Sequence, residues 1–529
     1  MDEFLAEGCH RRSCAASATV RWTVMRKVLL SLSLSLACQC SFAQAMYRMK
    51  PLGYLGGCTT SAPFAYGLNG SDQVTGQACN VNGDLHAFLW RNDGTPMVDL
   101  GPDQVGSTST GYAINASGLV AGTAQDNTGE FGFVSSGDGA PMTRILNVWG
   151  GTYIQAFALN NSGHVTGSAS KAGDYGPHAF LWKNDGSPML ELVPLDYFYG
   201  EYGEAINDSG LIAGTAYDGD RGNYLFFWNN DGTPMTDMGG GARNGVCCIN
   251  SSGEVAGSFS YSGYSHYHAF LSGKNGIGLQ DLGSLKVGTM SYGNALNEAG
   301  QVAGYSTTTT AYRSNLWHAV VWMNDGTPMK DLKTFGGKRS QANDINASGH
   351  VTGWAAITGD IANHAFLWRN DGTNIQDVNT LIDPMDPLKP YVTLTNGEFI
   401  NDNGDILAQG TDSRTAVSDL YLLQGTVLTL APRLLAFGNQ KIATSSAAKL
   451  VTMTNTRAAA VPITSVALTG TAAGQFSQKN NCGKSLAGHA TCTIKVTFRP
   501  TTKGAKPATL NVNGGGGGLR TVTLTGTGT

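Results

Sequence analysis

The stretch Ala113-Ile114-Asn115-Ala116-Ser117-Gly118-Leu119-Val120-Ala121-Gly122 returns again and again along this chain, and its return decides the fold. Its asparagine recurs at Asn69, Asn115, Asn160, Asn207, Asn250, Asn297, Asn346 and Asn401, at spacings of 46, 45, 47, 43, 47, 49 and 55 residues. A second block follows each copy after a connection of variable length. It is intact at His86–Trp90, His178–Trp182 and His364–Trp368. It is weakened at His268–Ser272, His318–Trp322, Tyr224–Trp228 and Phe131–Val134, and nearly lost at Asp419–Leu423. A third block, Asn92-Asp93-Gly94-Thr95-Pro96-Met97, ends at Asp99-Leu100-Gly101. Self-similarity at this period is the mark of a repeat architecture.

Each unit divides into four short strands. The first ends at Ala-Ile-Asn, and Asn115–Gly118 turns the chain into a second strand, Leu119–Ala124, with glycine available for a positive φ. The third strand is His86–Trp90, and the glycine of Asn92–Pro96 permits a tight hairpin into a fourth, Met97–Leu100. In His86-Ala87-Phe88-Leu89-Trp90 both alternating faces are largely apolar, the pattern of a strand covered on both sides. The blades of a β-propeller are covered in this way by their two neighbours. The glycine of Val-Ala-Gly (Gly122, Gly167, Gly214, Gly257, Gly304, Gly353) is expected to permit close approach of neighbouring sheets. The eighth unit, near Tyr421, lacks a fourth strand, while Met49–Leu55 near the start reads as an orphan fourth strand. The expectation is an all-β chain whose N-terminal segment seals a ring of eight four-stranded blades, with seven the alternative if the degenerate last unit forms none.

Composition agrees. Charged residues make up 14% of the 529, against about 25% in typical domains, and 71 are glycine. The net charge of −4 without a basic run excludes nucleic acid and anionic membrane as expected partners. Arg26 and Lys27 precede the apolar run 28–37, and Ala43-Gln44-Ala45 offers a signal-peptidase site before Met46. Residues 1–45 therefore read as a signal region, with Met25 a natural start and residues 1–24 an over-extended beginning. The apolar run is too short to span a membrane, and Cys38 and Cys40 lack the leucine of a lipoprotein signal. The expected location is extracellular or on the cell surface, with the periplasm an alternative. An exported chain permits disulfides among the six remaining cysteines.

The blocks His-Ala-Phe-Leu-Trp, Asn-Asp-Gly-Thr-Pro-Met-x-Asp-Leu-Gly and Ile-Asn-x-Ser-Gly-x-Val-Ala-Gly closely resemble the bacterial HAF family of extracellular repeats over about residues 47–425. The resemblance implies an exported bacterial protein and brings no activity or catalytic residues. It departs from the family at residues 131–142, where the triplet is Phe-Gly-Phe, and in the last unit. After Val427 the periodic tryptophan disappears. Leu434–Gly438, Val451–Asn455, Phe476, Cys492–Pro500 and Val522–Gly526 resemble a choice-of-anchor D, or hydin-type, Ig-like domain, and about seven short strands fit a sandwich without the resemblance. The domains expected are thus 46–426 and 427–529. Cys482 and Cys492 are expected to pair across a short loop, and Cys58 with Cys79 across the first hairpin. Adjacent Cys247 and Cys248 leave buried thiols or a vicinal bond open.

No catalytic, cofactor or metal constellation is evident. His86, His178, His268, His318 and His364 hold one equivalent position in successive units, which favours a hydrogen-bonded role at a strand edge over a shared metal. Each Asn-Asp-Gly turn carries one aspartate where a calcium loop needs several. The Asn115 and Asn346 sequons serve as turns. Strand alternation places the variable connections on one face, and they are rich in aromatics: Tyr197, Phe198, Tyr199, Tyr202, Tyr261, Tyr264 and Tyr267. With Thr307–Leu316 and Asp383–Tyr391 they suggest a surface for a glycan or protein ligand. The expected function is that of a monomeric, exported, non-enzymatic binding protein. The alternatives are a propeller glycosidase or lyase drawing on Asp196, Glu201, Asp218 or Asp220, and a structural surface-display protein with the C-terminal domain as spacer.

Overall fold

The computed structural model describes residues 47–56, 62–192, 200–218, 222–239, 245–260, 267–287, 289–309, 316–425, 428–455, 460–488, 490–514 and 518–529. The expected signal region, Cys58, Tyr197, Phe198, Tyr199, Tyr261 and Tyr264 lie outside the described residues. Among the described residues no helix is long and apolar enough to cross a membrane.

The chain is all-β, and its repeats form antiparallel four-stranded ladders. One unit runs Thr108–Ile114, Val120–Asp126, Gly129–Ser135 and Thr143–Ile145, each strand paired with the next. The fourth strands are shorter than expected: the first unit's is Val98–Asp99, because Pro96 has no N–H to extend the ladder. The last unit, Val392–Ile400, Ile406–Asp412 and Val417–Gly425, takes its outer strand from the other end of the described chain. Tyr47–Pro51 pairs with it antiparallel, from Tyr47 opposite Gly425 to Pro51 opposite Tyr421. The orphan strand read from Met49–Leu55 thus closes the last ladder, shifted a few residues toward the N-terminus. The first strands of the first and last units also lie side by side, so the sheets run round a closed circuit, the arrangement of a β-propeller.

The two apolar faces of the third strand have different partners. Phe88 and Trp90 pack with Leu407, Leu420 and Leu422 of the last sheet. Ala87 and Leu89 face Val120, Phe131 and Phe133 of the next. The double apolar pattern therefore reports burial between two neighbouring sheets.

The Val-Ala-Gly glycine has another reason than the one expected. A Cβ on Gly122 would lie 1.9 Å from the Thr110 carbonyl oxygen of its own sheet. Opposite it the ladder slips between Gly111 and Ala113, leaving Tyr112 unpaired. This is a β-bulge, which turns a carbonyl toward the facing Cα. The same slip recurs at Tyr66, Phe157, Glu204, Cys247, Asn294, Asn343 and Glu398, three residues before each repeat asparagine. Close approach between sheets falls to a different glycine: a Cβ on Gly111 would meet the Thr75 hydroxyl oxygen of the preceding sheet at 2.4 Å.

After residue 427 two sheets enclose a separate core. One is ordered Leu428–Ala431, Lys449–Asn455, Thr491–Phe498, Phe476–Asn480. The other contains Leu434–Gln440, Gly518–Gly528, Ala508–Gly514 and Val461–Thr469. Val451, Ile494, Phe498, Leu510 and Val522 are fully buried between them. Cys482 and Cys492 are disulfide-bonded, as expected.

Candidate functional site

The repeat asparagines do more than turn the chain. Each accepts, through Oδ1, the main-chain N–H groups two and four residues on; for Asn207 these are Ser209 at 3.1 Å and Leu211 at 3.0 Å. Each then donates from Nδ2 to the carbonyl of the next repeat's asparagine. The links run from Asn69 to Asn115 at 2.9 Å, then to Asn160 at 3.2 Å, Asn207 at 3.0 Å and Asn250 at 3.0 Å. They continue to Asn297 at 3.4 Å, Asn346 at 3.0 Å and Asn401 at 3.0 Å, and return from Asn401 to Asn69 at 3.3 Å. All eight are buried. The circuit surrounds an axial cavity of about 360 Å³ on the face of the constant turns, continued by a second of about 260 Å³.

The opposite face carries the variable connections. Of the aromatic residues expected to form a site there, Tyr202 and Tyr267 are described, and they sit in different sheets. Both are half-buried. Tyr267 stacks on Tyr292 at 5.6 Å, and Tyr292 on Tyr305 at 4.8 Å, so its ring is already occupied by other rings. Burial and these neighbours push the Tyr292 phenol up to about 12. The connection Asp383–Tyr391 serves closure: Asp386 accepts from the Met49 N–H at 2.8 Å, and Asp383 pairs with Arg48 at 3.1 Å. Cys79 is disulfide-bonded, and Cys247 and Cys248 form a vicinal disulfide.

The recurrent histidines are strand-edge locks. A carboxylate lies thirteen residues after each: His86–Asp99 at 2.9 Å, His268–Asp281 at 2.9 Å, His318–Asp331 at 3.0 Å and His364–Asp377 at 2.7 Å. Burial opposes a charge on His86, but the hydrogen bond and charge of Asp99, with Ser107 and Asp84, together outweigh it and the pKa is raised. A serine six residues before the next repeat asparagine completes the lock, as Ser109 accepts from the Ala87 N–H at 2.8 Å. Ser291 and Ser340 do the same for Ala269 and Ala319.

The junction at His178 carries a carboxylate in place of this serine. At His178 the acid thirteen residues on is Glu191, and the serine position holds Glu201. His178 Nδ1 is 3.0 Å from Glu191 Oε1 and 3.9 Å from Glu201 Oε2, while Nε2 meets Asp174 at 3.0 Å. Lys171 reaches the other Glu191 oxygen at 3.1 Å. Glu201 is only 2% exposed. Its Oε2 and the His178 Nδ1 are both buried without a hydrogen-bond partner, since the Glu191 contact is close but not aligned as a hydrogen bond. Burial pushes the Glu201 carboxyl up to about 7; the Ala179 N–H opposes the rise, Glu191 adds to it, and Lys171 opposes it. Of the four acidic residues named as enzymatic candidates, Glu201 alone has a described side chain. Aligning the eight units on their asparagines exposes the serine-to-glutamate change in the sequence itself.

No protein-family model and no curated protein matches the chain. Among solved structures it is similar to a puromycin hydrolase at 14% identity and TM-score 0.42, over 69% of this chain and 61% of that one. It is also similar to the β-propeller domain of the Trilobed protease from Pyrococcus furiosus, at 9% identity and TM-score 0.37, over 59% of this chain and 95% of that domain. A PapD-like domain of human CEP192 matches at 13% identity and TM-score 0.16, over 20% of this chain and 86% of that one. The chain spans about three fifths of the puromycin hydrolase, and at these identities the likeness concerns fold alone. Several of the larger solved structures of like fold are named for hydrolases and peptidases, and another is TolB from Acinetobacter baumannii. The expectation of a non-enzymatic glycan- or protein-binding propeller, drawn from the fold and its loops, is therefore overturned, and the expectation that the chain is no enzyme loses its support.

Proposed function

We propose that this chain is an exported structural protein of the HAF type. Residues 46–426 form a self-closed propeller of eight blades, and residues 427–529 form an Ig-like spacer that holds it at the cell surface. The observation that carries the reading is the closed circuit of eight asparagine links, each repeat giving its one invariant buried amide to the next. A carboxamide in every repeat, committed to closure, suits a rigid platform. The Cys482–Cys492 bond fits an oxidising location outside the cytoplasm. The test is localisation in a bacterial host. The full chain should be surface-labelled and retained, and a chain ending at Gly425 should be released into the medium. Retention of the truncated form, or absence of the full chain from the surface, would overturn the proposal.

A second reading, a propeller glycosidase or lyase, is favoured by one observation. The Glu201 and Glu191 carboxyl groups approach the same atom, His178 Nδ1, at 3.9 and 3.0 Å, which pairs two acids at one point as glycoside hydrolysis requires. Glycoside cleavage by the wild type that is abolished in Glu201→Gln would establish it, and an inactive wild type would dismiss it.

A further inference from the structure

We propose that the cavity between the first two sheets is a binding site for a small planar aromatic molecule with a ring N–H, of the indole class. In five units the third strand ends on a buried tryptophan, paired opposite the valine or isoleucine that opens the second strand: Trp90, Trp182, Trp228, Trp322 and Trp368. Each tryptophan packs onto the preceding sheet, as Trp182 does on Ala121 and Val134, and Trp368 on Ala319 and Val321. In the second unit the residue in this place, opposite Val120, is Ser135.

Where the tryptophan is present it fills the junction. Trp322 packs with Leu282 and Met329, its Nε1 donates to the Leu282 carbonyl at 2.6 Å, and a cavity of only about 170 Å³ is left. The junction of the first two sheets has the same frame, with Leu100 in the place of Leu282 and Pro141 and Met142 in the places of Pro328 and Met329. Three consecutive side chains differ and all three shrink: Trp322-Met323-Asn324 becomes Ser135-Ser136-Gly137. The cavity here is about 500 Å³, and Val98, Leu100, Pro102, Ser135, Pro141 and Met142 contribute to its walls. A small-molecule site typically offers about 300–1,000 Å³.

Elsewhere the protein itself takes the place of a missing tryptophan. The fifth unit also ends its third strand on serine, Ser272, but the short turn Lys274–Gly276 follows, and a Cβ on Gly276 would lie 2.6 Å from the Phe227 ring of the preceding sheet. The eighth unit has Leu423, which packs with Ala365 and Leu367 of the sheet before it. In the second unit Arg91 of the preceding sheet donates to the Ser136 carbonyl at 2.6 Å, and the cavity remains. Two charged groups of its lining are already engaged, Asp99 by His86 at 2.9 Å and Arg144 by Asp126, so recognition rests on shape and on the Leu100 carbonyl. A cavity left where a buried group is cut away binds a molecule of matching shape. An indole ring restores the group the other junctions hold, and its N–H meets the Leu100 carbonyl as Trp322 meets Leu282.

The test is calorimetric titration of indole into the full exported chain, with N-acetyltryptophanamide run beside it as the stand-in for a tryptophan borne by another protein. Saturable binding of one indole per chain is expected, with the melting temperature rising as indole is added. Ser135→Trp returns the ring that five other units carry, and is expected to abolish binding and to raise the melting temperature by itself. Ser136→Met, a smaller change that installs the residue of the Trp322 junction, should weaken binding about tenfold and keeps the test open if the larger ring disturbs folding. N-methylindole, which has no ring N–H to give, should bind about tenfold more weakly than indole. No saturable binding of indole, or equal binding by wild type and the two variants, would overturn the proposal, and tighter binding of the amide than of indole would overturn its assignment to a small molecule.

Discussion

Replacing Asn207 by alanine removes three hydrogen bonds at once. Two are the Oδ1 bonds that hold its own turn, from Ser209 and Leu211, and the third is the Nδ2 link to the Asn250 carbonyl. At about 1 kcal/mol net for each bond, with an added penalty for leaving the Asn250 oxygen buried and unpaired, the cost is about 3–4 kcal/mol. Asn207→Asp tests the donor separately. A neutral aspartic acid offers the same acceptor to the turn and an O–H to the Asn250 carbonyl, whereas a carboxylate keeps the acceptor and points charge at that carbonyl. The folded-state pKa of the new acid is therefore raised above its ordinary value. The sign follows: this variant approaches wild type below about pH 4 and loses stability as pH rises through the raised value. Denaturant unfolding followed by tryptophan fluorescence, at pH 4 and pH 7, measures each variant against wild type at the same pH. Asn207→Ala should show a similar penalty at both, and Asn207→Asp a penalty at pH 7 alone. An alanine penalty below 1 kcal/mol, or an aspartate penalty independent of pH, would refute the closure role of the circuit.

Glu204 carries a second pH dependence: burial pushes it up to about 7 against the lowering effect of its bonds to the Val246 N–H and Thr215, so its contribution is complete below about pH 4.5 and lost as pH rises through 7. Glu204→Gln keeps an acceptor for Val246 and should flatten the stability profile over that window by at most about 3 kcal/mol, read from unfolding midpoints across pH; an unchanged profile would count against it. Gly122→Ala should lower stability by more than about 3 kcal/mol, because its methyl group would meet the Thr110 carbonyl at 1.9 Å, while Gly94→Ala, with open space around it, should lose only the small cost of its positive φ, both read by thermal melting.

Much of this fold was legible because its signals are local and repeated. The eight asparagines, the apolar third strands and the missing outer strand of the last unit together point to a closed circuit sealed by the N-terminal strand, and Tyr47–Pro51 fills that place. What stayed hidden depends on partners about 45 residues away. Asn115 reads as a turn residue from its neighbours Ala116, Ser117 and Gly118, and its second bond, to Asn160, exists only once two sheets stand side by side. Gly122 was legible as a site of close approach, but not as the residue facing a bulge, because the slip at Tyr112 belongs to strand register. The candidate site was half legible. Along the chain His178 reads as one of five equivalent histidines, and Glu201 as one of four scattered acids. Nothing along the chain joins them, since Glu201 lies in the next repeat, and only its alignment six residues before Asn207 with Ser109, Ser291 and Ser340 marks it as an exception.

The first strand is where the repeats differ in chemistry while sharing one backbone. The asparagine that follows it is constant because it bonds both to its own turn and to the next repeat, and a change there costs both. Three residues earlier the bulge frees a side chain from the ladder, so the backbone no longer restricts it to apolar packing. That position holds Tyr66, Tyr112 and Phe157 in the first three repeats, then Glu204, Cys247, Asn294, Asn343 and Glu398. The rings of Tyr66, Tyr112 and Phe157 contact one another across successive sheets, at 5.5 and 6.1 Å. The later ones reach the next sheet by polar contacts instead: Glu204 to the Val246 N–H at 2.8 Å, and Asn294 to the Ala342 carbonyl at 2.8 Å. Six residues before the asparagine the chain holds Ser109, Ser291 and Ser340, but Ile154, Glu201 and Thr395 in other repeats. A repeat protein held by identical contacts could slip by one repeat without loss. Here the aromatic, acidic and amide contacts differ from junction to junction, so a slipped register would bury Glu204 against the wrong neighbour. The constant asparagines close the circuit, and the variable bulge residues fix which repeat stands beside which.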